Sequence, residues 1–543
     1  NVSVDGGTIK LDGNYPVGTG NVALGDNALV DSSLSGGYNT AIGQEALNSN
    51  TSGSVNTAIG NGALYLNTTG ASNISVGSNS LADNTTGGSN VAVGRDALGN
   101  NTTASANTAV GYQAGYSNTT GTENTFIGGA AGDAITTSNA NTALGYLSLS
   151  AETTSNGNTA IGAEALKNQN VGGSGDARNT AVGLLAGANV STGIQNTLIG
   201  ALAGDAITTA SNNTAVGYQS LSANTTGTAN TAIGRNSLQA NTTADDNTAS
   251  GMYSLYTNTT GASNTAHGRS ALFSNTTGSS NVSVGAQALE NNTTASGNVA
   301  IGDNALRAYQ TGGDNVVIGR NAGYTLNGNG NCTFLGRGSG FDTTGGNNTF
   351  VGYSSGSGVT SGAKNTIVGL YNGNQGGLDI RTSSNHIVLS DGDGNPRMQF
   401  NSSGTGKIKT SNDQGLYIFT GDSSSPNGKV LDFHDGAGDQ CGYVLINASN
   451  NTVSYQTSSD GNKKTNYRPI ANPTDRVKAL NPLKFDWISD GSTSEGFIAQ
   501  EVNTDTQLGL DCVDGEEGSM TMDYSRVTPL LTAALKEAIT KIE

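Results

Sequence analysis

One five-residue phrase, N-T-A-I-G and its close variants, recurs twenty-one times between Asn21 and Gly369. Its glycine falls at 25, 43, 60, 77, 94, 111, 128, 145 and 162, then at 183, 200, 217, 234, 251, 268, 285, 302, 319, 336, 352 and 369. Seventeen of the twenty intervals are 17 residues, and the others are 18, 21 and 16. The consensus reads N-[TV]-A-[IV]-G-x-x-A-L-x-x-N-T-T-G-x-x. A fixed period of this kind marks a repeat architecture, in which each unit buries its apolar face only against its neighbours. Seventeen residues are too few for a helix pair and suit one coil of a β-solenoid.

Within a coil, T-A-I alternates faces with period two, so the Thr/Val and Ile/Val positions share one side and Ala takes the other. A second short segment ends in Leu, as in Ala46-Leu47, Ala63-Leu64 and Ala97-Leu98. The N-T-T-G turns between them bring Gly and Asn, which tolerate positive φ, and side chains that bond the local backbone. Stacking then predicts Ile/Val and Leu ladders inside and Asn ladders at the corners. At ~4.8 Å per coil the repeats predict a shaft of roughly 95 Å.

Eighty Gly, 5% aromatic and 12% charged residues leave too little bulky apolar material for several thick globular cores. A core one residue wide is weak, and association of several chains is the natural remedy. The net charge of −17 opposes contact with nucleic acid or an anionic membrane surface. No apolar run reaches the ~18–20 residues that span a bilayer, so neither nucleic-acid binding nor membrane insertion is expected. No signal peptide is visible, and a chain that starts at Asn1 rather than Met is expected to lack its true N-terminus and the attachment part there. Cys332, Cys441 and Cys512 are far apart and outside any C-x-x-C spacing, against a disulfide framework or zinc site. No cofactor is expected. Cys332 stands in an Asn slot of the repeat and reads as a packing residue.

Departures from the period carry information. The 21-residue interval adds four residues within Lys167–Arg178, which predicts a protruding loop. The Ile/Val slot becomes Ser250 in one coil and His267 in the next. Two polar residues in an apolar ladder cost stability unless satisfied. They form a local polar layer with water or backbone partners, or else three His267 side chains near a threefold axis hold a transition-metal ion. The N-T-T triplets match a glycosylation acceptor, but turn chemistry explains their fixed place. Gly336-Arg-Gly-Ser-Gly340 lacks the strand, helix and distal acid of a dinucleotide loop and is a repeat variant. Over residues 21–371 the repeat loosely resembles the coiled heads of trimeric autotransporter adhesins, and that resemblance implies a trimer.

After Gly369 the rhythm stops. His386–Ser390, Met398–Phe400, Lys407–Lys409, Leu416–Phe419 and Tyr443–Ile446 alternate between turn clusters, which predicts short antiparallel strands. Tyr417, Phe419, Phe433, Tyr443 and Tyr455 belong to its core or contact a sugar.

From Gln456 the text changes again. Ser458-Ser459-Asp460 and Lys464 precede Ala479-Leu-Asn-Pro-Leu-Lys-Phe-Asp-Trp487, then Gly496-Phe-Ile-Ala-Gln-Glu-Val502 and Asp523-Tyr-Ser-Arg-Val-Thr-Pro-Leu-Leu531. These blocks, in this order, resemble the self-cleaving chaperone of endosialidase tailspikes and many tail fibres. The resemblance implies a trimeric chaperone that guides assembly of the preceding stalk and cuts itself off by a Ser–Lys dyad. The family pattern S-D-x-R-x-K puts the nucleophile on Ser459, the adjacent acid on Asp460 and the base on Lys464, with cleavage just before Ser459. The family's Arg is Asn462 here, beside Lys463, which bears on cleavage and not on the chaperone fold. In the last segment Thr528 is a cap and Pro529 suits the first helical position. Leu531, Leu535, Ala538 and Ile542 form a 4–3–4 seam for a three-helix coiled coil, with Ile539 on the same apolar face.

The expectation is therefore an all-β elongated fibre: a trimeric β-solenoid of 17-residue coils, then a β-rich region and a small α+β chaperone ending in a coiled-coil helix. Its parts are a lead-in (1–20), the shaft (21–371), a β-rich tip or transition region (372–458) and the chaperone (459–543). The implied role is a phage tail fibre or tailspike in the virion. Its partners would be two further copies of the chain, other virion tail proteins and a host cell-surface glycan or protein. A bacterial trimeric adhesin should end in an outer-membrane anchor of amphipathic strands, and chaperone blocks stand in that place. A polysaccharide depolymerase needs paired carboxylates, whereas acids in the repeats are scattered.

Overall fold

A computed structural model describes residues 19–173, 175–408, 427–434, 440–447, 452–457, 468–486, 493–504, 513–514, 521–522 and 527–543. The chain divides into two units, Asn1–Leu416 and Tyr417–Glu543.

The first unit is the β-solenoid that the period predicts. Each N-T-A-I-G phrase supplies one three-residue strand, from β1 (Val22–Leu24) to β21 (Thr366–Val368). Successive strands pair in parallel and in register, so Thr214 lies against Thr231, Ala215 against Ala232 and Val216 against Ile233. Equal coil length is the cause, because a constant period places identical residues above one another.

The two faces of these strands are the reverse of expectation. The central residue points inward: Ala58, Ala181, Ala232 and Ala300 are fully buried. The Ile/Val position points outward, with Ile199 39% and Ile233 43% exposed. The Leu ladder does lie inside, as Leu64, Leu98 and Leu238 show. The reason is width. A 17-residue coil encloses so little space that the Leu of the second segment fills it, leaving room for only a methyl group opposite. Exceptions prove the constraint: where Phe126 takes the Ala slot, the Leu positions beside it become Gly115 and Gly132, whose added Cβ atoms would strike its ring. Leu198 is likewise flanked by Gly187 and Gly204. Phe334 and Phe350 stack at 5.0 Å, and any Cβ at Gly340 or Gly356 would collide with a ring. Core volume is conserved while its source moves between segments.

The Asn ladders are present and buried. Ahead of each strand, the Asn backbone N–H donates to the Oδ1 of the Asn one coil earlier, as from Asn264 to Asn247 at 3.0 Å. In the N-T-T-G turn, Asn67 Nδ2 donates to Asn50 Oδ1 at 2.8 Å and to the Gly70 carbonyl at 3.0 Å. The turn amides are thus internal, and glycosylation would require the coil to open. Cys332 occupies an Asn slot, is 1% exposed and takes the Asn315 Oδ1 bond through its backbone N–H at 2.9 Å. Replacing Asn247 with alanine strands the buried Asn264 N–H. We expect a loss of about 2–4 kcal/mol, read as a lower denaturant midpoint. A midpoint within error of the parent would mean that the ladder contributes nothing net.

Left-handed backbone falls at places that the turn argument did not foresee. The N-T-T-G glycines are not among the positive-φ residues. They are needed because a Cβ at Gly70 would collide with Asn67 Oδ1 and the Gly87 carbonyl. Positive φ belongs instead to the second residue after the strand glycine (Glu45, 59°), to the ladder leucine (Leu47, 50°) and to the residue before the strand Asn (Val55, 63°). Closing a coil this short needs sharp corners, and burial of Leu holds a conformation that its propensity opposes.

The long coil leaves the stack intact. Gly172, Gly173 and Gly175 have nothing within 4 Å of an added Cβ, consistent with an outward loop. Beneath it, Glu152 replaces a turn Asn and is fully buried. Its Oε1 accepts the N–H groups of Thr153, Thr154 and Ser155 at 2.9, 3.0 and 2.8 Å, and its Oε2 accepts Gln169 Nε2 at 3.0 Å. Four donors make that buried carboxylate tolerable.

Beyond β21 come a hairpin of β22 (Asn374–Gln375) and β23 (Leu378–Asp379), then β24 (Ile387–Ser390), β25 (Pro396–Phe400) and β26 (Gly406–Ile408). The expected antiparallel strand at His386–Ser390 is antiparallel only on one edge. On the other, β24 pairs in parallel with β21 and buries Val388 in the Ala slot. Having the T-A-I pattern of alternation, it is drawn onto the open end of the stack.

The second unit contains an antiparallel sheet of β27 (Asn427–His434), β28 (Gln440–Asn447) and β29 (Thr452–Thr457). There follow α1 (Pro473–Lys478), β30 (Leu483–Asp486), β31 (Thr493–Gly496), α2 (Ala499–Thr504), β32 (Val513–Asp514), β33 (Thr521–Met522) and α3 (Val527–Ile542). Tyr417 and Phe419 lie outside the described residues, as do the side chains of Phe433, Tyr443 and Tyr455. Thr528 is not the cap of the last helix, because α3 already includes Val527 and the Thr528 carbonyl accepts the Thr532 hydroxyl at 2.9 Å.

Candidate functional site

Three separate places carry the chemistry anticipated from sequence. The first is the segment around Ser459, Asp460, Asn462 and Lys464. All four residues lie outside the described set, so the dyad has no geometry here. The blocks that follow it do come together. Leu480 from the first block, Val502 at the end of the second and Val527 from the third share one apolar cluster, with Ala479 and Phe497 packed against it. Pro473 starts α1 after Asn472, whose left-handed backbone (φ 47°) turns the chain into the helix. Thr474 of α1 then donates its hydroxyl to Glu537 Oε2 on α3 at 2.9 Å. Lys541, one turn on, donates to the other carboxylate oxygen at 2.7 Å. Together they hold the Glu537 carboxyl below the usual range, with Lys541 the larger cause and Thr474 next.

The second place is the outer side of α3. Val527, Leu530 and Ala534 are buried, so one apolar stripe is used within the unit. Leu531, Leu535, Ile539 and Ile542 are exposed, at 47, 62, 46 and 85%. Of the seam expected for a coiled coil, Leu531, Leu535 and Ile542 are therefore exposed and Ala538 is half-buried, with no cover among the described residues. Such a helix carries two stripes where a surface helix needs one.

The third is the outer face of the solenoid strands. Thr/Val and Ile/Val columns run from β1 through β21 and continue into Ile387 and Leu389 of β24. His267 sits on this face, exposed, with Ser250 on one side and Val284 on the other. The anticipated burial cost of Ser250 and His267 does not arise within the chain, because the slot faces outward. No group of three metal-ligating side chains occurs among the described residues of this single chain. A dimension that sequence reading missed is the aromatic and cationic dressing of the neighbouring face. Arg95, Arg235, Arg307 and Arg337 each lie over a tyrosine ring one coil on, at 5.5, 6.0, 5.9 and 5.7 Å, except that Arg235 reaches Tyr253 from the adjacent column. The seventeen-residue offset of Arg95 and Tyr112 was a signal available in the sequence.

Comparison with known proteins bears on the first place. A family model described as chaperone of endosialidase matches residues 459–505. No curated protein and no solved structure matches the chain.

Proposed function

We propose that this chain forms a homotrimeric virion fibre of the tail-fibre or tailspike type, which attaches to a host cell surface. The match to an endosialidase chaperone and the β-solenoid shaft are consistent with such a fibre. The observation that carries the reading is the apolar column on the outer strand face, repeated coil after coil except at Ser250 and His267 and covered by no described residue. Parallel sheets are ordinarily covered on both faces. A stripe that repeats every seventeen residues is best matched by a partner with the same repeat, namely further copies of this chain. The uncovered stripe of α3 adds a second surface that suits self-association. In such a trimer, His267 faces the sister chains, where three imidazoles can meet around a metal ion. Other virion tail proteins are the expected partners of the assembled fibre.

The C-terminal segment then acts as an assembly chaperone that releases itself. Ser459 Oγ attacks the carbonyl carbon of Ser458, and the neutral Lys464 amine takes the hydroxyl proton. The proton passes to the departing Ser459 nitrogen as the peptide bond breaks, and water hydrolyses the resulting ester. Lys464 can serve only if its environment lowers its pKa, through desolvation or a neighbouring cation such as Lys463.

Intact and native mass measurements on freshly expressed protein, beside Ser459→Ala, test this reading. The expected result is a trimer whose chains lose Ser459–Glu543, while the variant stays whole. A whole trimer in both would retain the fibre and discard autoproteolysis, and would make Asn462 the suspect for the lost cleavage. A monomer would overturn the proposal.

A further inference from the structure

The residue after the strand glycine forms a column along one edge of the solenoid, and on consecutive coils it reads Asp303, Arg320, Arg337 and Tyr353. Arg320 and Arg337 are both exposed. Among the described residues, no ion pair within 4 Å involves either one. The nearest acid in the column, Asp303, is engaged by the Ala286 backbone N–H at 3.2 Å. Two like charges on adjacent coils, about 4.8 Å apart along the stack, repel each other. Arg337 lies over the Tyr353 ring at 5.7 Å, yet among the described residues no carboxylate within 4 Å neutralises either guanidinium, in a chain whose net charge is −17.

A second column lies five residues after the same glycines. There Tyr324 and Phe341 stack at 5.1 Å and 11°. One end of the stack is closed by Arg307, which lies over Tyr324 and donates to Glu290 at 2.6 Å. The other end is open, because the next coil carries Ser357 where an aromatic ring would continue the stack. Between the two columns is a groove of about 320 Å³ lined by Arg320, Arg337, Phe341, Asp342 and Tyr353, among others.

We propose that this groove binds a carboxylated, uronate-type saccharide. The two guanidiniums present the planar fork that matches a carboxylate. Phe341 and Tyr353 offer apolar surface to the C–H face of a sugar ring, with the tyrosine hydroxyl as a polar handle. Asp342 supplies acceptors for ring hydroxyls. A bare phosphate would use the arginines and leave the aromatic wall idle. The groove lies after the strand glycine, whereas the apolar columns occupy the strand's first and third positions. Ligand and sister chains therefore use different residues, and a trimer would present three grooves for avid binding to a polymeric surface. The inference rests on the host-attachment reading and names its ligand class.

Calorimetry on the full chain tests it, with trigalacturonic acid and a hyaluronan tetrasaccharide as probes, and with maltotriose and inorganic phosphate as controls. The expected result is binding of at least one uronate probe and weak or no binding of both controls. Arg320→Gln and Arg337→Gln should each weaken binding by about tenfold, the size of one lost charge-assisted contact. Phe341→Ala should weaken it as well, and because that change also disturbs the Tyr324 stack, the exposed Arg320→Gln is the deciding variant. Binding of neither uronate, indifference to both arginine variants, or phosphate binding as tight as the sugars would overturn the proposal. Native mass of the same samples separates the two levels. A trimer without sugar binding removes the groove alone, and a monomer removes the fibre beneath it.

Discussion

Gly217→Ala is expected to lower the stability of the shaft by roughly 4 kcal/mol, although it adds one methyl group. The strand glycines have φ near +135°, and Gly217 is at +137°, where residues with a Cβ are strained by about 1–3 kcal/mol. An alanine Cβ there would lie 2.6 Å from the Gly234 carbonyl oxygen and 2.7 Å from its carbon. Those atoms belong to the backbone of the next coil and cannot turn aside. Separating the coils enough to relieve the contact weakens the ladder on that side, including the Gly234 N–H bond to the Val216 carbonyl at 2.7 Å. Overpacking of this kind adds about 1–3 kcal/mol. Because each coil contacts only its neighbours, the damage should concentrate at one junction. Denaturant unfolding reads the total, and limited proteolysis should show new cuts between residues 200 and 234. An unchanged midpoint without such cuts would mean that the close approach of the coils is not obligatory.

Ile199→Glu combined with Ile233→Glu is expected to abolish the trimer while leaving the coil fold in place. Both side chains point away from the core, so within one chain the change is a surface substitution of about 0.5 kcal/mol or less per site. In the proposed trimer each copy would place two carboxylates in an apolar contact. Burying even one such charge without a partner costs several kcal/mol. Native mass should show monomer after processing, and circular dichroism should retain its β signal. The matching control is Ala232→Glu, one residue from Ile233 and fully buried, which should destroy the signal itself. A double variant that stays trimeric would put the interface elsewhere. Loss of the β signal in the double variant would contradict the outward geometry of the Ile column.

Much of this architecture could be read from spacing. The coil length, the parallel register and the two Asn ladders follow from a period that holds at seventeen residues for most of the shaft. The blocks around Leu480, Val502 and Val527 were recognisable as a resemblance, and the matched family model spans the first two of them. The dyad remains a sequence inference, since Ser459 and Lys464 are outside the described residues.

Which strand face lies inside could not be read the same way. Alternation says that Ala232 and Ile233 occupy opposite faces, and hydrophobicity alone favours Ile as the buried one. The packing gives the opposite answer because Leu238 already fills the narrow interior. The paired change of Ala to Phe126 with Leu to Gly115 and Gly132 encodes that competition for volume, and it is intelligible only when residues eleven positions before and six after are seen to touch one ring. The left-handed Leu47 is a further case, since no propensity marks leucine for positive φ. Spacing along the chain sets the coil, its length and the order in which coils stack, because a fixed period superposes like on like. Which side chains enter the coil and which face outward is set by packing in three dimensions, because that choice depends on how much space a closed seventeen-residue ring encloses.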